Sequence, residues 1–130
     1  MPVAERPTRC PCLSGLPYSD CCEPFHLGTD AAPTAERLMR SRYSAFAIGD
    51  APYLLESWHP ITRPRTLELD RSIEWLSLTI IGRTGGGMLD TIGTVEFVAR
   101  YRSDGQRGEQ HENSTFVRED RRWFYVSAAD

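Results

Sequence analysis

The chain has 130 residues, 40% of them hydrophobic, with 15 cationic and 18 acidic side chains and a formal net charge of -3. That length suits one domain with a small appendage and leaves no room for two independent cores. The mild acidic balance argues against a DNA binder, which needs clustered cations to neutralise phosphate, and every cation is Arg, which excludes lysine Schiff-base chemistry.

No window approaches the ~18 consecutive apolar residues of a membrane span. The first seven residues carry an acid and two prolines where a signal peptide would place its apolar stretch. The sequence therefore predicts a cytoplasmic protein with no membrane association.

Residues 1–32 are dense in Pro, Gly and Cys and show no sustained apolar period. They read as a metal knuckle and linker, followed by a body over residues 33–130. Within the knuckle Cys10, Cys12, Cys21 and Cys22 give the spacing C-x-C-x8-C-C, with a tight Ser14-Gly15 turn between the pairs. Two close pairs of soft ligands joined by such a turn can converge on a tetrahedral ion. So short a segment has almost no core of its own, so metal binding would supply its folding free energy, on the order of 10 kcal/mol in small zinc peptides. Disulfides or idle thiols are the alternatives, and a reducing cytoplasm disfavours the first. Four ligands close the site, making it a structural or docking centre rather than a hydrolytic one. Four thiolates on Zn(II) leave a negative charge that Arg6 and Arg9 are near enough in sequence to offset, and His26 is a rival ligand.

From Pro33 the period becomes 3.6. Thr34 is placed to cap a helix ending at Gly49, with Ala35, Leu38, Met39, Tyr43 and Phe46 on one side. Arg37 and Arg40 project the other way. Arg42 falls at the centre of the apolar arc, where a guanidinium needs a partner. Asp50 can cap a second helix with Pro52 in its first turn, and His59-Pro60 ends it. Residues 66–72 offer a weaker signal for one further helical turn or two.

After Ser72 the period becomes 2. Leu76, Leu78 and Ile80 alternate with Trp75, Ser77 and Thr79, then Val95, Phe97, Ala99 and Tyr101 alternate with polar residues. Strands near 109–118 and 122–128 follow, with Gly85-Gly86-Gly87, Asp104-Gly105 and Glu119-Asp120 as turns. The glycine run lacks a following Lys-Ser/Thr and leads into a strand, so it is a turn rather than a phosphate cradle. The pattern predicts an α+β fold: N-terminal helices packed on a curved four-stranded antiparallel meander, preceded by the knuckle.

Parity puts Glu112, Ser114 and Phe116 on one strand face, opposite Arg42 if Phe116 points inward. An Arg42–Glu112 ion pair is expected inside an aromatic-lined space with Tyr43, Trp58 and Phe97, where Arg42, Tyr43, Trp58, His59, Glu112 and Ser114 would bind a small polar or anionic ligand. His111 has the opposite parity from Glu112 and cannot join it in an acid–base dyad. Trp75, opposite in parity to Leu76 and Leu78, is expected on the outer face, where it would favour a homodimer or a partner surface.

Cys10-Pro11-Cys12, Ser14-Gly15, Tyr18 and Cys21-Cys22 resemble the SEC-C motif. Leu38-Met39-Arg40-Ser41-Arg42-Tyr43-Ser44-Ala45-Phe46, Tyr53-Leu54, Trp58-His59-Pro60, Glu74-Trp75-Leu76, Phe97-Val98-Ala99-Arg100, His111-Glu112 and Trp123-Phe124-Tyr125 resemble the YchJ-type family of uncharacterised bacterial proteins across nearly the whole chain. The resemblance implies zinc on the four cysteines and a cone-shaped body similar to nuclear transport factor 2. It brings no established activity. Leu13 stands where the motif usually has Gly, so the backbone there must avoid positive φ or be strained. Longer relatives append a second knuckle, which puts in doubt any function needing two. The leading expectation is a docking protein whose knuckle meets a macromolecular partner, a chaperone or ribosome-associated protein by analogy. The alternative is a lyase or isomerase with Glu112 or His59 as base and Arg42 holding an anion.

Overall fold

Thr34 starts the long helix of the body: its side-chain oxygen accepts from the Arg37 N–H at 3.1 Å. A computed structural model describes residues 8–128. In it the chain runs through a single 3₁₀ turn, Tyr18–Asp20, and helices α1 (Glu23–Leu27), α2 (Ala35–Ile48) and α3 (Ala51–Glu56). Strands β1 (Ile73–Gly85), β2 (Ile92–Ser103), β3 (Gln106–Glu119) and β4 (Arg122–Ala128) follow. Gly49, at φ 81°, closes α2 in the left-handed conformation that glycine adopts without Cβ strain. Asp50 then accepts from the Tyr53 N–H at 3.1 Å and opens α3.

The strands form one antiparallel sheet in the order β1-β2-β3-β4, as a chain of short turns dictates. Asp104-Gly105 and Asp120-Arg121 both have two consecutive positive φ angles, the conformation whose twist matches a two-residue hairpin. At the third turn the Ala35 N–H donates to the Gly86 carbonyl at 2.9 Å, fastening the start of α2 to the sheet.

Helix α2 is covered on two flanks. Ala35, Leu38, Met39 and Tyr43 meet the sheet side of the core, while Ser41 and Ser44, also fully buried, lie beneath the knuckle. One contiguous cluster runs from the four cysteines through α2 to Leu78, Val95, Phe97, Phe116 and Trp123. No described helix is long and apolar enough to cross a membrane.

Two expectations are corrected. Residues 66–70 form no helix but an irregular approach to β1; Leu67 and Leu69 pack on the core at a spacing of two, which an extended chain satisfies and a helical turn does not. Trp75 faces inward, with Tyr43 and Tyr101 at ring separations of 6.0 and 5.5 Å. The pairing shifts between Trp75 and Ser77, and the extra residue of this bulge, Leu76, reverses the side-chain parity that strict alternation assumed. Trp75 is thus no exposed aromatic for a second copy to cover.

Candidate functional site

The knuckle is drawn together by backbone bonds from Cys10 N–H to the Leu16 carbonyl and from Tyr18 N–H to Thr8, each 3.0 Å. This small hairpin sets Cys10 and Cys12 against Cys21 and Cys22, whose carbonyl receives the first N–H groups of α1. The four Sγ atoms all lie within 4.8 Å of one another, with Cys12–Cys21 at 3.6 Å and Cys21–Cys22 at 3.9 Å. A tetrahedron of sulfurs around Zn²⁺ has edges of ~3.8 Å, so the cluster fits a divalent ion, whereas a disulfide needs ~2.05 Å. All four are free thiols and fully buried.

Polar groups surround the sulfurs. Ser14 Oγ stands 3.1 Å from Cys21 Sγ, and Ser44 Oγ is 3.3 Å from Cys22 Sγ and 3.4 Å from Cys10 Sγ. Hydrogen bonds from the Cys10 and Cys22 thiols hold Cys12 far below the usual thiol range. Burial pushes Cys21 up to about 11, with Ser14 pulling the other way. A metal binding all four as thiolates would displace whatever protons the sulfurs hold.

His26 does not join the cluster. Its Nδ1 is 2.6 Å from the Tyr18 hydroxyl and its Nε2 is 2.8 Å from the Ser41 carbonyl, so both ring nitrogens are engaged. Arg9 is exposed and serves through its backbone bridge to Pro17, and Arg6 lies outside the described residues. The cation at the cluster is Arg40, which donates to the Cys12 carbonyl at 3.0 Å. Burial works to lower its pKa, but the hydrogen bond to Glu36 and the field of Cys12 more than offset this. Leu13 has φ 65°, a left-handed backbone that costs an L-residue about 1–2 kcal/mol.

A second feature is a cavity of about 240 Å³ between α2 and the concave side of the sheet. Arg42, Tyr43, Trp58, Glu112 and Ser114 all line it, together with Tyr125 and Gln110. The anticipated Arg42–Glu112 ion pair is not formed. Arg42 Nη1 donates to the Leu54 carbonyl at 2.8 Å and to Ser57 Oγ at 2.7 Å, with the guanidinium 4.5 Å from the Tyr125 ring centre and 5.2 Å from that of Trp58. The end of α3 thus supplies the acceptors expected from the sheet. Burial lowers the Arg42 pKa to about 10, with Tyr125, Tyr53 and Glu112 acting in the other direction. Glu112 instead accepts from Ser114 at 2.5 Å, from the Tyr125 hydroxyl at 3.3 Å and from Gln110 at 3.2 Å.

His59 is outside this cavity. Its Nε2 meets Glu119 at 3.0 Å and its Nδ1 accepts from the Ile61 N–H at 3.2 Å, because residues 57–59 bridge to β4 at Tyr125 and turn the imidazole toward the strand end. His111 pairs with Glu96 on the exposed sheet face. Tyr125 and Gln110 are lining residues that sequence reasoning passed over, although the parity of Tyr125 with the buried Trp123 and of Gln110 with Glu112 carried the signal. Ser44, on the knuckle flank of α2, left none.

The family model described as "YchJ, middle NTF2-like domain" matches residues 34–128, and the SEC-C motif matches residues 6–24. A UPF0225 protein of Streptomyces coelicolor is 52% identical over 117 residues, covering 90% of this chain and 91% of that protein. One from Corynebacterium glutamicum is 50% identical, covering 90% and 93%. Among solved structures, a SEC-C motif containing protein from Rhodopseudomonas palustris superposes with TM-score 0.81 at 36% identity, over 92% of this chain and 95% of that one. Another from Psychrobacter arcticus gives TM-score 0.75 at 26% identity, over 98% and 84%.

Proposed function

This chain belongs to the UPF0225 family and carries a SEC-C motif ahead of a YchJ-type NTF2-like domain, and from that premise we propose that it is a zinc-dependent docking protein of the cytoplasm. The observation that carries the reading is the quartet of buried sulfurs at tetrahedral spacing. Cys10, Cys12, Cys21 and Cys22 would hold the ion in a closed site, where Zn²⁺ neutralises thiolates and fixes loop geometry without activating water. Around it Ser14 and Ser44 orient sulfurs, and Arg40 sets a positive charge beside the excess negative one. The ordered knuckle then presents Leu13, Leu16 and Leu27, which are 56%, 46% and 69% exposed, to a macromolecular partner.

Elemental analysis and native mass spectrometry test this directly. One zinc per chain is expected, lost on Cys12→Ser or Cys22→Ser. Capture of a partner from cell extract should depend on the metal and disappear with chelator. A bare polypeptide whose thiols alkylate freely would overturn the reading.

The cavity supports a second role, that of a site for a small polar or anionic ligand, because a buried cation and a carboxylate share one aromatic enclosure. A lyase or isomerase built on it would have Glu112 as base and Arg42 as anion holder, His59 being turned away. Soaking small carboxylates and watching the Arg42 environment by NMR separates a filled scaffold from a binding site.

A further inference from the structure

A buried charge without a counter-ion indicates what its cavity lacks. Arg42 is only 4% exposed, yet its protein acceptors, the Leu54 carbonyl and the Ser57 hydroxyl, both engage Nη1. Nε and Nη2 have no acceptor among the described residues. No sealed-off polar side-chain atom lacks a partner among those residues, so these two nitrogens keep some accessible surface, and the cavity that Arg42 lines is the space beside them. The Tyr125 and Trp58 faces stabilise the cation but do not take the place of an oxygen acceptor.

Glu112 lines the same cavity. Three donors reach it, from Ser114, Tyr125 and Gln110, and a carboxylate offers about four acceptor positions. Tyr125 stands between the two charges: the guanidinium lies against its ring face and the carboxylate sits at its hydroxyl. The enclosure therefore presents a cation and an anion one aromatic ring apart, with apolar walls from Trp75 and Phe97. A simple anion would satisfy Arg42 but be repelled by Glu112. A simple cation would do the reverse. The volume of about 240 Å³ equals roughly eight waters at ~30 Å³ each, room for one amino acid and too little for a peptide or nucleotide.

We infer that the cone cavity binds a small zwitterion of the amino-acid class, its carboxylate on the free edge of Arg42, its ammonium on Glu112 and its apolar side chain against Trp75 and Phe97. This rests on reading the cavity as a ligand site.

The test uses the full zinc-loaded chain and four probes: L-phenylalanine, L-leucine, 3-phenylpropanoate, which lacks the amine, and 2-phenylethylamine, which lacks the carboxylate. Binding is followed by tryptophan fluorescence and by NMR shifts at the Trp58 and Trp75 indoles. At least one amino acid should bind about tenfold or more tightly than either single-charge analogue, since each charge-assisted bond is worth that much. Glu112→Gln should weaken the amino acid about tenfold and leave 3-phenylpropanoate unweakened, whereas Arg42→Met should abolish both. Arg42→Met can also loosen the fold, so the ligand series and Glu112→Gln decide. If 3-phenylpropanoate matches the amino acids, the zwitterion proposal fails while the ligand site stands. If none of the four perturbs either indole at millimolar concentration, both fail.

Discussion

The Ser44 hydroxyl donates to the Cys22 sulfur at 3.3 Å, so the long helix of the body bonds to an atom of the proposed metal shell. Metal removal should therefore be felt in the body. With a zinc chelator we expect one cooperative thermal transition shifted down by at least about 5 °C, the equivalent of ~1 kcal/mol in a domain of this size. Circular dichroism with and without chelator measures it, and an unchanged Tm would show that knuckle and body are energetically separate.

Leu13 holds a left-handed backbone with an exposed side chain, at φ 65° and 56% exposure. Leu13→Gly removes strain of about 1–2 kcal/mol and loses ~0.4–1 kcal/mol to the freer unfolded chain. A net gain approaching 1 kcal/mol is expected in the chemical denaturation of the zinc-loaded protein. A loss would mean that the leucine side chain contributes more than its exposure suggests.

Because Arg42 bonds to Leu54 and Ser57 rather than to Glu112, its replacement should not behave as the breaking of a buried ion pair, which costs about 3–5 kcal/mol. Arg42→Met is expected to cost about 1–2 kcal/mol, from the two hydrogen bonds lost at the Leu54 carbonyl and the Ser57 hydroxyl and from the lost ring contacts. In a double-mutant cycle with Glu112→Gln the coupling should stay below ~1 kcal/mol. A larger coupling would restore the direct pair.

Gly86 has φ +74°, and a Cβ there would lie 2.8 Å from the Ala35 Cβ. Gly86→Ala should destabilise by about 1–3 kcal/mol, chiefly by loosening the bond from Ala35 N–H to the Gly86 carbonyl. Gly82→Ala, which has nothing within 4 Å of its added carbon, is the control and should change stability by less than ~0.5 kcal/mol.

Burial raises Tyr43, Tyr53 and Tyr125 to about 12, and burial raises Tyr18 further. Unfolded tyrosine loses its proton near ~10, so above that pH the unfolded chain binds fewer protons than the folded one. Stability then falls as pH rises, by about 1 kcal/mol per unit for each fully buried ring. Arg42 works the other way: burial lowers its pKa to about 10, so the unfolded chain keeps a proton that the fold sheds. Four rings outweigh one guanidinium. Unfolding between about pH 10 and 12 should coincide with the appearance of tyrosinate absorbance; tyrosinate appearing well before unfolding would contradict the burial.

Much of this was legible in the residues. Thr34, Gly49, Asp50 and Asp104-Gly105 are local signals, and the structure places caps and a hairpin at each of them; the turn expected at Glu119-Asp120 falls one residue later, at Asp120-Arg121. The cysteine quartet is also local, compressed into one short stretch, which is why spacing alone indicates convergence. What was illegible depends on tertiary register. A single bulge at Leu76 reversed the facing of Trp75, and no pattern in the sequence marks a bulge. The partners of Arg42 lie at the end of α3 rather than across the sheet, a choice set by how closely two helices approach. Ser44 reads as an ordinary helix residue until a second chain segment is laid over it.

The cover over both flanks of α2 bears on how this protein can be divided. A truncation at the boundary between motif and body would strip Ser41 and Ser44 of their roof and bare a seam meant never to meet water. The excised arm would in turn lose the floor on which its thiols rest. Neither fragment is a reliable proxy for the parent molecule.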